Sequence, residues 1–201
     1  EDFYKKKLPL TELTDLLAKY SAIGGNSMRA WFTSNHDENS WNGTEYEKYG
    51  EMAKPLAVFS ATWDGVPLMY SGQELPLLNK RLEFFEKDPI PWNGSYKLEE
   101  FYKKLYELKS KNPALRGGDT NSITKILQTN APDKVLAYLR KNGEDEVLVI
   151  LNLSDTQHLK LQILDEAVQG KYKSLFSGLT TNFDTKPTIE MYKWEHLVFE
   201  K

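Results

Sequence analysis

Leu13, Leu16, Leu17 and Tyr20 recur at the spacing of one helical face and predict an amphipathic helix over 11–20. Pro9 precedes it, Thr11 is placed to cap it, and Gly24-Gly25 to end it. Residues 27–35, with Met28, Ala30, Trp31 and Phe32, form a short, largely apolar run between turn residues and predict a buried strand. Thr44 and Glu47 have the spacing of a capping box. The helix they open is predicted to run to Trp63, with Tyr49, Met52, Leu56 and Phe59 inward and Pro55 kinking or dividing it. Asp64-Gly65 is a turn and 66–70 a second short apolar strand. A loop rich in Pro, Asn and Gly follows, too long for a simple connection. Leu98, Phe101, Tyr102, Leu105 and Leu108 mark another helix, stopped by Asn112-Pro113. The order helix, strand, helix, strand, helix implies parallel strands with helical crossovers.

Beyond Pro113 the period shifts. Strands are predicted over 123–127, 135–140, 147–153, 159–163, 171–175 and 189–199. Asn142-Gly143 between two of them is a hairpin signal. Leu159, Leu161 and Ile163 alternate with Lys160 and Gln162, as in a half-buried antiparallel strand. The expected organisation is an α/β unit over 1–112 and an all-β unit, an antiparallel β-sandwich, over 113–201.

Composition narrows the function classes. Apolar residues make up 40% of the 201 and suffice for a packed core, while a net charge of -3 gives no footprint for nucleic acid. There is no polybasic run for an anionic membrane and no apolar stretch of the roughly 18–20 residues that span a bilayer. The absence of cysteine excludes disulfides, thiolate catalysis and cysteine-held metals, but leaves the compartment open. The five Trp, eleven Tyr and nine Phe are either core residues or platforms that stack on flat sugar faces.

The informative chemistry lies in Phe32-Thr33-Ser34-Asn35-His36-Asp37-Glu38-Asn39, where a predicted strand delivers Asn, His and Asp at its C-terminal end. In parallel α/β barrels active sites are built there. An imidazole that hydrogen-bonds sugar hydroxyls, beside a carboxylate that favours an oxocarbenium-like transition state, suits a polyol substrate. The alternative is that the trio only caps a strand end. Adjacent residues rarely converge on one ion, so no metal is assigned to His36, Asp37 and Glu38. In Gly65-Val66-Pro67-Leu68-Met69-Tyr70-Ser71-Gly72-Gln73-Glu74 a second strand exits through a glycine into Glu74, which either faces the pocket or anchors the loop.

These two stretches, in this order and spacing, resemble the F-x-x-N-H-D and G-x-P-x-x-Y-x-G-x-E signatures of the α-amylase family of glycoside hydrolases (family 13). Asn112-Pro113-Ala114-Leu115 resembles the family's exit from its barrel. The resemblance covers nearly the whole chain. It implies the C-terminal part of a (β/α)8 TIM barrel followed by the family's antiparallel sandwich. It also implies that Asp37 is the transition-state-stabilising aspartate and that His36 contacts the same sugar ring. Asn35 joins this substrate-binding set as the residue that orients the loop. Tyr70 and Glu74 are implied as supports at the barrel rim. Trp41 and Trp92 lie in loops on the expected active face and are candidates to stack on more distant sugars.

The family's nucleophile, in a G-x-R-x-D context, and its acid/base glutamate precede these strands. Arg29, Arg81, Arg116 and Arg140 all lack that context. A whole barrel takes about 250 residues, so the chain, which opens at Glu1, is expected to be part of a longer enzyme and inactive alone. The implied parent is a retaining α-glucan hydrolase of α-amylase or α-glucosidase type, acting on starch-like substrates. Its implied partners are an α-glucan or maltooligosaccharide and the upstream barrel portion, with neither nucleic acid nor membrane. No cofactor is expected in this segment, and any calcium belongs upstream. The alternative is a non-catalytic carbohydrate-binding or scaffolding relative.

Overall fold

The computed structural model describes residues 8–23, 28–75, 80–92 and 96–201. The predicted helix stop at Gly24-Gly25 and the start of the predicted strand at Ser27 lie outside the described residues. Helix α1, Leu10–Ser21, buries Leu10 and Leu17. Its entry is Pro9, in extended conformation, and no side chain caps it, so Thr11 lies within the first turn and does not cap. Burial of Leu10 sets the start one residue earlier than the polar pattern suggests.

Strands β1, Ala30–Trp31, and β2, Val66–Pro67, pair in parallel. Both are much shorter than predicted. Beyond Trp31 the backbone turns away and polar side chains replace the ladder, with Gln73 Nε2 donating to Thr33 Oγ1 at 2.8 Å. The pair closes through Val66 N to Arg29 O and Leu68 N to Trp31 O, both 2.8 Å. Gly65 makes this approach possible: its φ is +130°, and a Cβ there would lie 2.4 Å from Arg29 O.

Thr44 and Glu47 form the predicted reciprocal capping box at the start of helix α2, Glu45–Tyr49. The helix then breaks at Gly50 (φ +54°), passes through a 3₁₀ turn, Gly50–Met52, and resumes as α3, Ala53–Thr62. Pro55 is expected from the sequence to kink or divide it. It instead sits in the first turn of α3, where a missing N–H costs nothing. Helix α4, Glu99–Lys111, ends at Asn112, whose side chain caps the 3₁₀ turn Pro113–Leu115.

The remaining strands are β3, Ile123–Ile126; β4, Val135–Asn142; β5, Asp145–Asn152; β6, Leu159–Leu161; β7, Lys171–Ser174; β8, Thr180–Asn182; β9, Ile189–Met191; and β10, His196–Glu200. They form a six-stranded sheet in the order β3-β4-β5-β10-β7-β8 and a two-stranded sheet β6-β9, all antiparallel. The single strand predicted over 189–199 is two strands in different sheets, divided by a turn in which Trp194 is left-handed at φ +55°. Asn142 pairs with Asp145, so the β4–β5 turn is Gly143-Glu144, with positive φ at Gly143 alone. That is the pattern of a type II′ turn.

β4 and β5 are apolar in both alternations because both of their faces are covered. Leu136, Tyr138, Val147, Val149 and Leu151 pack with Leu10, Val58, Phe59, Leu105 and Leu108 of the helices. Ala137, Leu139, Leu148 and Ile150 pack with Leu161 and Met191 of the small sheet and with Tyr172 and Phe183. The helical layer is pinned by a 2.6 Å hydrogen bond between Thr62 Oγ1 and the Tyr138 hydroxyl. Beside it the fully buried Arg140 donates to Ala114 O (3.0 Å), Thr124 Oγ1 (2.6 Å) and Arg116 O (3.3 Å), and pairs with Asp64 Oδ1 at 3.2 Å.

Arg140→Leu is expected to lower unfolding free energy by about 2–4 kcal/mol, because two carbonyls lose their donor; an unchanged chemical-denaturation midpoint contradicts this. Among the described residues each of β1 and β2 has only the other as neighbour, and Phe32, Val66, Leu68 and Leu16 are exposed. Open edges beside apolar side chains promote pairing between copies. The 201-residue chain is therefore expected to self-associate at micromolar concentration in sedimentation velocity, and a monodisperse monomer would refute it.

Candidate active-site face

The backbone leaving β1 delivers Asn35, His36 and Asp37 to one surface. Asn35 Oδ1 accepts from Glu38 N at 2.8 Å and Asn35 O from Asn39 N at 2.9 Å, so Asn35 starts the π-helical turn Glu38–Asn42. Its side chain is thereby committed to the backbone of this turn. His36 and Asp37 open this turn as neighbours, with Nε2 3.7 Å from Oδ2 and side chains 70% and 59% exposed. Both are free to meet a ligand from solvent.

The turn itself is held from below. Buried Lys48, on α2, donates to Glu38 Oε2 at 2.9 Å, and Asn42 to Glu38 Oε1 at 3.0 Å. Lys48, with Asn42 adding to it, holds the Glu38 carboxyl below the usual glutamate range. Asn39 is buried and faces the other way, where its Oδ1 accepts from Leu82 N at 2.8 Å.

Tyr70 and Glu74 stand in the turn after β2. The Tyr70 N–H donates to Gln73 Oε1 at 2.7 Å, and buried Gln73 in turn reaches Thr33 and, at 3.5 Å, Glu45 Oε1. Gln73 stands out in no sequence pattern, yet it ties the turn after β2 to the segment that leads from β1 to Asp37. Gly72 is at φ +92°, which lets the turn close. Burial raises the Glu45 carboxyl above its ordinary value, and Tyr46 beside it to about 12. Glu74 is half-buried, and its carbonyl accepts from Leu98 N at 3.2 Å.

Trp41, at the end of the π-helical turn, joins an aromatic group that the sequence reading did not anticipate. Its ring lies 5.5 Å from Phe84 and 6.2 Å from Phe85, and Phe84 stacks on His36 at 6.1 Å and 23°. Trp92 is exposed, and among the described residues it makes no ring contact with this group. No group of three or more His, Asp or Glu side chains among the described residues is placed to hold a metal ion, and none of the described helices is long and apolar enough to cross a membrane.

Two parallel strands between helices, followed by a two-layer antiparallel unit, define the class: the last part of a (β/α)8 barrel with an attached β-sandwich. Residues 126–194 match the model of the alpha amylase C-terminal all-beta domain. A maltogenic alpha-amylase of Bacillus acidopullulyticus is 26% identical over 144 residues, covering 70% of this chain and 24% of that protein. A glucan 1,6-alpha-glucosidase of Streptococcus pneumoniae is 22% identical, covering 93% of this chain and 45% of the relative. Among solved structures, the maltogenic alpha-amylase AmyB of Thermotoga neapolitana superposes with a TM-score of 0.78 at 21% identity. The match covers 100% of this chain and 48% of that one. An Anoxybacillus alpha-amylase superposes with a TM-score of 0.75 at 18% identity, over 98% and 45% of the two chains. At such identities the superpositions establish the fold alone. The chain is similar to α-amylases and an α-glucosidase, and it spans between a quarter and a half of the length of these proteins.

Glu38 and Glu45 should titrate with opposite consequences. Glu38 binds its proton less tightly in the folded state, so its contribution is present above the ordinary value of 4.5 and is lost as pH falls through the depressed folded value. Glu45 is the reverse: its folded value is raised, so stability falls as pH rises through the interval above 4.5. Glu38→Gln is therefore expected to lose about 1 kcal/mol at pH 7, a loss that shrinks toward pH 3. Glu45→Gln should be neutral or stabilising at pH 7, with any gain vanishing in acid. Thermal melts across pH 3–8 check both, and parallel profiles for the two variants would refute the assignment.

Proposed function

We propose that this chain is the C-terminal portion of a retaining α-glucan hydrolase, in which Asp37 stabilises the transition state and His36 contacts the same sugar. The observation that supports this most strongly is the exposed His36-Asp37 pair at the C-terminal end of β1, set on a turn that Asn35, Glu38 and Lys48 hold rigid. A carboxylate there accepts hydrogen bonds from sugar hydroxyls and favours the positive charge of an oxocarbenium-like transition state. The imidazole adds a second polar contact to the same ring. Tyr70 and Glu74 support the rim, through Gln73 and the Leu98 amide respectively.

Retaining hydrolysis also needs a nucleophile and an acid/base, with carboxyl groups about 5–5.5 Å apart. We assign both to the upstream barrel residues of the parent enzyme, which would also cover the open edges of β1 and β2. The substrate class follows the relatives: an α-glucan or maltooligosaccharide.

The test is hydrolysis of a chromogenic maltooligosaccharide, by the 201-residue chain and by the same chain joined to the upstream barrel of a related amylase. The chain alone is expected to be inactive and the joined protein active. In the joined protein Asp37→Asn should lower kcat on the order of 10³-fold, while His36→Ala should raise KM more than it lowers kcat. Turnover by the chain alone, abolished by Asp37→Asn, would place a nucleophile within these residues and overturn the division of labour.

A further inference from the structure

Residues 80–88 form a loop that carries two phenylalanines to the edge of the Asp37 surface. Phe85 is 83% exposed and Trp41 59% exposed, with Phe84 between them. Phe84 and Phe85 meet edge to face at 5.0 Å and 80°. Such large apolar rings are not left in water without cost, and neither phenylalanine serves the core of the fold.

The loop is not loose. Asn39, inside the π-helical turn, accepts from Leu82 N at 2.8 Å and donates toward Lys80 O at 3.5 Å. Arg81 pairs with Glu47 Oε2 at 3.1 Å. Lys80 pairs with Asp88, whose other oxygen accepts from Glu83 N at 3.1 Å. The turn that presents His36 and Asp37 therefore also sets the position of Phe84 and Phe85, and the stack of Phe84 on His36 makes one continuous surface of the two.

We propose that Trp41, Phe84 and Phe85 form an aromatic wall that binds a pyranose ring of an α-glucan next to the ring held by His36 and Asp37, with Asn39 as the positioning residue. The proposal rests on the reading of His36 and Asp37 given above and deepens it. A pyranose offers flat C–H faces with polar rims, so it stacks on exposed rings while its hydroxyls stay in water. The occupant is an α-glucan because the wall is continuous with the His36-Asp37 surface. A wall held in place beforehand by hydrogen bonds and ion pairs gives up little ordering entropy when it binds.

The experiment is titration of the full 201-residue chain with maltoheptaose, read by tryptophan fluorescence and by saturation-transfer NMR. Binding is expected in the parent chain, weakened about tenfold by Phe85→Ala and by Trp41→Ala. Asn39→Leu should weaken it to a similar extent and add little on top of Phe85→Ala, since both remove the same surface. Asn39→Asp keeps the acceptor for Leu82 N and should restore affinity, which a merely structural defect would not do. A chain that fails to bind millimolar maltoheptaose overturns the wall. So does a Phe85→Ala/Trp41→Ala double variant that binds like the parent with an unchanged melting temperature. Neither result touches the catalytic reading, which is decided by turnover of the joined protein and its loss with Asp37→Asn.

Discussion

Burial of the central sheet on both faces is the constraint on which the rest of the chain depends. β4 and β5 can be apolar at consecutive positions only while helices cover one side and the small sheet covers the other. The Thr62–Tyr138 hydrogen bond and the shared cluster of Val58, Phe59, Leu105, Tyr138 and Val149 fix α3 and α4 to that sheet. α3 in turn sets the turn at Asp64 and Gly65, where Trp31 Nε1 donates to Asp64 O at 2.7 Å and Arg140 reaches across to the Asp64 carboxylate. β1 and β2 are held from the β-sheet side of the molecule although, among the described residues, they pair only with each other. The position of Asp37 is thus traceable to packing more than a hundred residues further along the chain.

From β1 onward the means of support change. Where a longer ladder would fix the backbone, amide side chains do so: Asn35 to Glu38, Asn39 to Leu82, Gln73 to Tyr70 and Thr33. Each side chain gives a partner to a part-buried backbone N–H. An ordered arrangement of this kind tolerates irregular backbone, which is what a loop-built site requires. It also concentrates its sensitivity in a few polar atoms, because a buried amide left without its partner costs more than the bond contributed.

What the sequence made legible follows the same division. The helices carry their own evidence in the spacing of Leu13, Leu16 and Leu17, and of Leu98, Phe101, Tyr102 and Leu105. The capping box at Thr44 and Glu47 is a local device and was readable as one. β4 and β5 announce themselves by continuous apolar runs. β8, Thr180–Asn182, has no apolar residue and exists only because β7 offers it a ladder. The run over 189–199 gives no sign that the chain changes sheets at Trp194. The surface around Asp37 was readable through its motif and its place after a strand. Phe84 and Phe85 were not, since they lie in a long irregular loop and reach that surface through tertiary contacts without periodicity, those of Asn39 and Arg81 among them. Gln73 was hidden for the same reason.

The openness of the His36-Asp37 surface bears on how the carboxylate can act. Two charges near 4 Å interact by only about 1 kcal/mol in water and several times more where water is excluded. Asp37 is 59% exposed, so in this chain its field is largely screened by solvent. Its influence on a developing positive charge therefore depends on what covers it. A sugar ring seated on His36 and Asp37 removes water from one side, and a second ring against Trp41, Phe84 and Phe85 would remove it from another. Aromatic surface beside an exposed carboxylate raises affinity by stacking. By excluding water, the same contact raises the electrostatic effect of a carboxylate it does not touch. Binding at the wall and charge stabilisation at Asp37 are then energetically linked, so truncating the wall should cost transition-state stabilisation as well as affinity.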